Sequence, residues 1–325
     1  MARQEWSGFP RGWFVVAIAS DVPVGGVQRL SYLGQEWVAF RGESGAVSVL
    51  DAYCPHMGAH LGVGGTVVGD TVRCPFHAWQ FGADGTCAAI PYANRIPPQA
   101  HVRAHEVRER NGLVYLWHDP GGGPPGWEIP ELEGHGGEEW LPWDADCLRV
   151  RTHPREIVEN VADKAHFPVV HGTHVDQFEN EYAGHLAIQR TRGVAYPRGG
   201  GVDRFSLTAT YHGPAFQLTE MDGVLKSRLF IGHTPVRENE LDLRFGVSLR
   251  VRGDRVKMAG FARQYIDNLR TGFHEDLQIW EHKRYQDPPM LAENDGPIGR
   301  LRAWYRQFYH PVAESSIPGT SAAAT

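Results

Sequence analysis

The chain carries the stretch CPHMGAHLGVGGTVVGDTVRCPFHAW at residues 54–79, in which two cysteines and two histidines are spaced as two pairs. Cys54 and His56 form the first pair, and Cys74 and His77 form the second. Thiolate and imidazole both suit zinc and iron–sulfur clusters. Structural zinc sites usually take two cysteines from one arm and two histidines from the other. Arms that each offer one cysteine and one histidine favour a two-iron cluster, in which one iron binds both cysteines and the other binds both histidines.

Two alternatives remain for this stretch, which are a zinc ribbon and four unrelated side chains. The remaining cysteines, Cys87 and Cys147, belong to no paired motif and are predicted to be small buried residues. Replacing two thiolates by neutral imidazoles removes negative charge from a cluster and raises its reduction potential. The stretch therefore predicts a [2Fe-2S] centre that accepts electrons readily.

The overall composition excludes several classes of protein. The net charge is −6 over 325 residues, so no basic surplus exists for nucleic acid. Four cysteines in a chain of this length do not form a secreted disulfide framework. The apolar run at residues 13–19 is too short to span a membrane and is predicted to be a buried strand. We expect a cytoplasmic protein with no transmembrane segment, whose thiols stay reduced and free to bind metal.

The pattern of residues divides the chain into two domains of an α+β protein. Residues 1–118 are predicted to form an all-β domain, since β-branched and aromatic segments such as 36–42, 46–54, 70–76 and 112–119 alternate with turns. A Gly/Pro-rich connector is predicted at 119–143. Residues 144–325 are predicted to mix helices with an antiparallel sheet, and to end in a small, polar tail at 315–325.

Specific elements are predicted within the second domain. Residues 154–167, 265–285 and 298–309 have helical patterns, and residues 202–266 are predicted to be successive strands. Within 240–251, apolar residues alternate with polar ones, which predicts one apolar and one solvent-facing side of an antiparallel strand.

A second group of candidate ligands lies in ENVADKAHFPVVH, at residues 159–171. Asn160, Asp163 and His166 are three residues apart and would share one face of a helix. His171 would lie about 140° away from that face on a straight helix. Because Pro168 falls between the two histidines, we expect a helix break there that lets His171 turn back.

Two histidines and one carboxylate form the facial triad of non-heme Fe(II) oxygenases. Asp276 is the preferred carboxylate, because it falls on the apolar side of its predicted helix, between Phe273 and Trp280. A buried carboxylate is costly unless it is paired, and a metal ion would remove that cost. Its neighbour Glu275 is the alternative, but it is predicted to project away from the apolar side.

These motifs together resemble the large-subunit family of Rieske non-heme iron oxygenases, over nearly the whole chain. CPHMGAHL, CPFHAWQF, ENVADKAHFPVVH and EDLQIWEHK carry the family resemblance. PYANRIPP, ERNGLVYLWHDP and ENDGPIGRLRAWYRQFY are most similar to the oxygenase component of bacterial 3-ketosteroid 9α-hydroxylases.

The resemblance implies an N-terminal Rieske domain and a C-terminal helix-grip catalytic domain in a homotrimer. It implies that Cys54, His56, Cys74 and His77 hold the cluster, and that His166, His171 and Asp276 hold mononuclear Fe(II). Asp163 would bridge the cluster of one subunit to the iron of its neighbour, and Asn160 would lie near the iron.

The resemblance further implies a monooxygenase that uses O2 and electrons from a separate ferredoxin or flavin reductase, supplied by NAD(P)H. The expected substrate is steroid-like or another apolar polycyclic molecule, and four apolar residues of the predicted sheet are candidates for its pocket: Phe216, Leu218, Phe230 and Phe245. Desaturation or oxidative demethylation on the same iron is the alternative. A non-catalytic electron carrier is a more remote one, because such a carrier would end near the connector.

Overall fold

The computed structural model describes residues 8–195, 202–223 and 225–309. The polar tail predicted at 315–325 lies outside these ranges. The strands are β1 Gly12–Ile18, β2 Val27–Tyr32, β3 Gln35–Arg41, β4 Val47–Asp51, β5 Thr66–Val68, β6 Thr71–Arg73, β7 Gln80–Phe81, β8 Cys87–Ala89, β9 Val107–Arg110, β10 Leu113–His118, β11 Asp144–Val150, β12 His174–Ala183, β13 Leu186–Ala195, β14 Asp203–His212, β15 Phe216–Asp222, β16 Ser227–Arg237 and β17 Glu240–Leu249. The helices are α1 Pro154–Glu159, α2 His166–Val170, α3 Arg255–Trp280 and α4 Ile298–Arg306.

The first ten strands build three small antiparallel sheets, in the orders β1-β10-β9, β2-β3-β4 and β5-β6-β7-β8. The apolar run predicted to be a buried strand is β1, and its residues Trp13–Val16 are fully buried. The two cysteine–histidine loops flank the four-stranded sheet: the first connects β4 to β5, and the second connects β6 to β7. Short strands thus hold both loops at one end of the N-terminal part formed by β1–β10.

The other seven strands form one antiparallel sheet in the order β11-β17-β16-β15-β14-β13-β12. Helix α3 packs on β17 and β11, where Ile266, Leu277 and Trp280 join the apolar core. Two ion pairs fix the helix to β11, between Arg263 and Asp144 at 2.7 Å and between Arg270 and Asp146 at 2.5 Å. The predicted α+β class, with an all-β part followed by a sheet-and-helix part, is confirmed.

Helix α3 begins earlier than the sequence pattern indicated. Residues 255–266 were expected to continue the strands, but they are the first turns of the helix. The Asp254 side chain accepts hydrogen bonds from the backbone N–H groups of Val256 and Lys257, and Gly253 takes a positive φ just before it. An N-cap aspartate that satisfies free N–H groups starts a helix efficiently. Asp254 was therefore the sequence signal for this start.

The polar side of β17 is not solvent-facing, contrary to the prediction. Asp242 is 6% exposed and Ser248 is fully buried. The reason is that β17 is a central strand whose second face lies against the rest of the protein: Asp242 accepts a hydrogen bond from Tyr32 of β2, and Ser248 donates one to the Leu141 carbonyl. Asp242 and Ser248 are tolerated in the interior because each has a hydrogen-bond partner.

The face of the sheet opposite α3 packs against β1 and β10. Phe216, Leu218 and Phe230 belong to an apolar cluster with Trp13 and Tyr115. The connector 119–143 has no helix or strand of its own, but its residues Ile129 and Leu132 join the same cluster. The connector is thus packed between the two parts of the chain. None of the helices in the described ranges combines the length and the apolar content that a membrane span requires.

Candidate metal centres

The two cysteine–histidine loops have the same backbone construction. In the first, the Gly58 N–H bonds to the Cys54 carbonyl, and in the second the Ala78 N–H bonds to the Cys74 carbonyl. Both turn residues have a positive φ, 74° at Gly58 and 58° at Ala78. Alanine adopts this conformation at a cost of about 1 kcal/mol, so the second loop is held in its shape by its surroundings.

The loops bring the four candidate cluster ligands together. Cys54 and Cys74 are each 3% exposed, and the imidazole centroids of His56 and His77 are 4.5 Å apart. Burial raises the pKa of the Cys54 thiol to about 11, so a thiolate there needs a cation beside it. The Nδ1 atom of His56 is buried and has no hydrogen-bond partner among the described residues. These are the properties expected of atoms that bind iron.

The spacing of these ligands bears on the zinc alternative. Within the described ranges, three ligand atoms that lie within 4.8 Å of one another occur at His166, His171 and Asp276 and not at the four loop residues. A single tetrahedral zinc would need all four loop ligand atoms in such a compact group. The wider arrangement suits a cluster of two irons better.

The second centre lies where α2 meets α3. His171 Nε2 is 3.6 Å from Asp276 Oδ1, and the centroids of the two imidazole rings are 5.2 Å apart. Asp276 is 6% exposed on the inner side of α3, as its position in the apolar pattern indicated. Burial raises the pKa of this carboxyl group to about 6, a cost that a bound cation would offset.

The helix break that brings the histidines together differs from the predicted one. Helix α1 ends at Glu159, residues 160–165 are turns and irregular backbone, and a new short helix starts at His166. Pro168 lies inside the first turn of α2, where a missing N–H is tolerated. His171 is the C-terminal cap of α2. The break therefore precedes both histidines, and Asn160 and Asp163 do not share a helix with His166.

The outer nitrogen of each histidine of the triad faces an acceptor. His166 Nδ1 is 2.7 Å from the Asp163 carbonyl oxygen and 3.7 Å from its carboxylate. Burial lowers the pKa of His166, but Asp163 more than offsets this and the net shift is upward. His171 Nδ1 is 3.9 Å from the carboxylate of Glu275. Acceptors on the outer nitrogens leave both Nε2 atoms free for a metal ion.

Other candidates occupy different places. Asn160 is the half-buried C-terminal cap of α1. Phe245 lies on the α3 side of the sheet, fully buried beneath Phe273, with ring centroids 4.7 Å apart. The structure places Phe216, Leu218 and Phe230 in the core on the opposite face, because β15 and β16 turn these side chains toward β1 and β10.

A groove of about 480 Å³ lies away from the triad. Its lining includes Arg190, Thr208 and Glu220, which are neighbours across β13, β14 and β15. Side chains alternate along a strand, so Glu220 is on the same face as Leu218, whereas the side chain of Met221, which also borders the groove, accepts a hydrogen bond from Tyr265 of α3. The groove is therefore on the face of the sheet opposite the triad.

Comparison with known proteins agrees with both centres. The family model described as "Rieske [2Fe-2S] domain" matches residues 12–103, and that described as "3-Ketosteroid 9alpha-hydroxylase C-terminal domain" matches residues 116–309. The chain belongs to the 3-ketosteroid 9α-hydroxylase family of Rieske oxygenases. It is therefore an iron-dependent monooxygenase, whose cofactors are a Rieske [2Fe-2S] cluster and a mononuclear iron.

Relatives of this family cover almost the whole chain. A "3-ketosteroid-9-alpha-monooxygenase, oxygenase component" of Rhodococcus rhodochrous is 37% identical, over 94% of this chain and 83% of the relative. The protein of the same name from Mycobacterium tuberculosis is 36% identical, over 94% and 83%. "Cholesterol 7-desaturase nvd" of Hemicentrotus pulcherrimus is 31% identical, over 93% and 70%. The fold is similar to that of dicamba monooxygenase bound to dicamba, with a TM-score of 0.77, 20% identity and coverage of 93% and 98%.

Two features of the centres were not foreseen from the sequence. Glu275 was expected to project away from the site, yet its carboxylate faces His171 Nδ1. The ring of Trp79, the last residue of the cysteine–histidine motif, stacks on the ring of His56. Neither contact can be predicted from the spacing of residues, because both depend on side-chain conformations within the loops and helices.

Proposed function

We propose that this chain is the oxygenase component of a steroid-hydroxylating monooxygenase, with an external ferredoxin or flavin reductase that supplies electrons from NAD(P)H. The observation that carries the proposal is the triad, because a simple electron carrier has no use for a second metal centre. The names of the relatives support a 3-ketosteroid or sterol-like substrate. When bound, the cluster supplies single electrons and the mononuclear iron activates O2.

We propose that Cys54, His56, Cys74 and His77 hold the cluster, and that His166, His171 and Asp276 hold the iron. Asp163 fixes His166 through its carbonyl oxygen while its carboxylate remains partly exposed, with 38% of the side chain accessible. An exposed carboxylate beside a ligand histidine is suited to contact an imidazole of a neighbouring subunit. This arrangement supports a homotrimer in which Asp163 bridges the two centres, with Asn160 near the iron.

The region next to the triad is suited to an apolar substrate. Phe167 lies between the two histidines in sequence and packs on Phe178 of β12, with ring centroids 6.0 Å apart. Several partly buried apolar side chains pack against the core between the sheet and α3: Met221, Leu225, Ile231, Tyr265, Leu269 and Phe273. Covering such surface stabilises a bound steroid by about 25 cal/mol per Å² of apolar area.

The proposed location is the cytoplasm, where the cluster thiols stay reduced before iron is bound. The proposed domains are residues 1–118, a connector at 119–143 and residues 144–325. The two family matches likewise divide the chain into an N-terminal and a C-terminal part, but they meet at residues 104–115, and the second match, 116–309, includes the whole proposed connector.

Replacing Asp276 with alanine tests the iron assignment. The variant is expected to keep the absorbance and the reduced-state electron paramagnetic resonance spectrum of the cluster, because the two centres use separate loops. It should lose the mononuclear iron, so that iron analysis falls from about three atoms per chain to about two. Reductase-driven oxygen uptake with ketosteroids should disappear.

The matched control is Asp267→Ala, which removes an exposed carboxylate from the same helix and should leave iron content and turnover unchanged. Full activity of Asp276→Ala would refute the triad. A wild-type protein that holds only the two cluster irons after anaerobic loading with Fe(II) would instead support the electron carrier.

The relationship to a cholesterol 7-desaturase supports a second candidate reaction at the same iron, which is desaturation. Desaturation would remove two hydrogen atoms from the substrate, whereas hydroxylation would add one oxygen atom and demethylation would release a one-carbon product. Mass spectrometry of products from a panel of ketosteroids and sterols separates these outcomes. We expect the addition of oxygen.

A further inference from the structure

The side chain of Trp79 covers one face of His56. The indole and imidazole rings are nearly parallel, at 7°, and their centroids are 4.7 Å apart. Trp79 is only 7% exposed and belongs to the apolar cluster that also contains Cys54 and Cys74. The other histidine, His77, meets His56 edge-on, with an interplanar angle of 73°. The orientation of the His56 ring is therefore fixed by Trp79, which stacks on its face, and by His77, which meets it edge-on.

The indole itself is tied by one hydrogen bond. Its Nε1–H group donates to the hydroxyl oxygen of Tyr92 at 2.7 Å. Tyr92 follows β8 and is 62% exposed, so it contributes little to the core. A buried indole N–H without an acceptor is destabilising, which gives the Tyr92 hydroxyl a defined role in keeping Trp79 in place.

We propose that Tyr92 is a positioning residue of the cluster, which holds Trp79 against His56 and thereby sets the orientation and solvent access of this ligand. The inference rests on the proposed ligation of the cluster by His56. It is supported by the Nδ1 atom of His56, which is buried and has no hydrogen-bond partner among the described residues.

The direction of the effect follows from charge. A cluster with two thiolates and two neutral imidazoles carries no net charge when oxidised and one negative charge when reduced. Water near a ligand stabilises the charged state, and groups that exclude water oppose it. The stack of Trp79 on His56 thus lowers the reduction potential, and loosening it should raise the potential.

The test is a double-mutant cycle on the loaded protein with Tyr92→Phe and Trp79→Phe. Tyr92→Phe removes only the hydroxyl group at an exposed position. It should keep both cluster irons, shift the g values of the reduced cluster and raise its reduction potential at fixed pH. In the Trp79→Phe background the same change should have no further effect, because the N–H donor is already gone.

Tyr53→Phe is the matched control. Tyr53 is also exposed, at 54%, and precedes a cluster cysteine, but its ring packs on His60 and not on a proposed ligand. The cluster of the Tyr53→Phe variant should have the same g values and the same reduction potential as that of the wild type. The proposal is overturned if Tyr92→Phe also equals the wild type in both measurements, or if its effect persists unchanged in the Trp79→Phe background. A wild-type protein without the cluster spectrum would instead overturn the proposed function.

Discussion

At the residue scale, the two histidines of the triad are oriented by different kinds of acceptor. The Asp163 carbonyl holds His166, and this acceptor is local because it lies three residues earlier in the chain. The carboxylate that faces His171 Nδ1 comes from Glu275 on α3, next to the proposed ligand Asp276. One turn of α3 thus offers a carboxylate to each nitrogen of His171, from Glu275 to Nδ1 and from Asp276 to Nε2.

The Glu275→Gln variant tests the contact between the Glu275 carboxylate and His171 Nδ1. The amide keeps the size of the side chain but loses the charge that favours an Nδ1–H group on His171. We expect Fe(II) affinity to fall by about tenfold, since partners of ligand histidines typically contribute that much or more. Iron retention during dialysis against a weak chelator measures the effect, with Asp267→Asn as the control on the same helix. Equal retention in both variants would show that Glu275 does not orient His171.

At the element scale, polar residues of β17 are buried and hydrogen-bonded, because β17 is a central strand of the sheet. Asp242 ties three elements together, because it accepts hydrogen bonds from Tyr32 of β2 at 3.0 Å and Arg149 of β11 at 2.5 Å. Arg244, two residues along the strand, also bonds to the Tyr32 hydroxyl. Burial raises the pKa of this tyrosine to about 12, and it remains a donor at neutral pH.

Asp242→Asn is expected to destabilise the protein by about 3 kcal/mol, because it leaves the buried part of the Arg244 guanidinium without a full counter-charge. Thermal unfolding at neutral pH measures the change. Glu240→Gln is the comparison on the same strand, where the partners Arg149 and Arg237 are largely exposed and the loss should be much smaller. Similar melting temperatures for the two variants would argue against a structural role for the Asp242 network.

At the scale of the whole molecule, the packing of the seven-stranded sheet against the other elements buries several histidines in the neutral form. Burial lowers the pKa of His118 and His212 to about 4, and that of His153 and His233 to about 3. In the unfolded chain these groups titrate near 6.5. Their contribution to stability is therefore present above pH 6.5 and is lost as the pH falls toward 4, because only the unfolded chain takes up the protons.

His233→Leu tests this dependence at the most buried position. Its side chain is fully buried, and neither ring nitrogen has a hydrogen-bond partner within the described residues. The variant should unfold at a higher temperature, and its stability should fall less between about pH 7.5 and pH 5, by up to about 1.4 kcal/mol per pH unit. His174→Gln changes an exposed histidine and should keep the wild-type slope. An unchanged slope in His233→Leu would mean that folding does not lower the pKa of this group.

The sequence by itself determined both sets of candidate ligands, the strands of the first part and the position of Asp276 on the buried side of its helix. These features depend on spacing and periodicity over a few residues, which the chain carries locally. Only the tertiary structure decided that β17 is buried on both faces, that α1 and α2 are separate, that Glu275 faces His171 and that Trp79 covers His56. These features depend on which distant elements pack together and on how side chains turn there, and no local spacing encodes either.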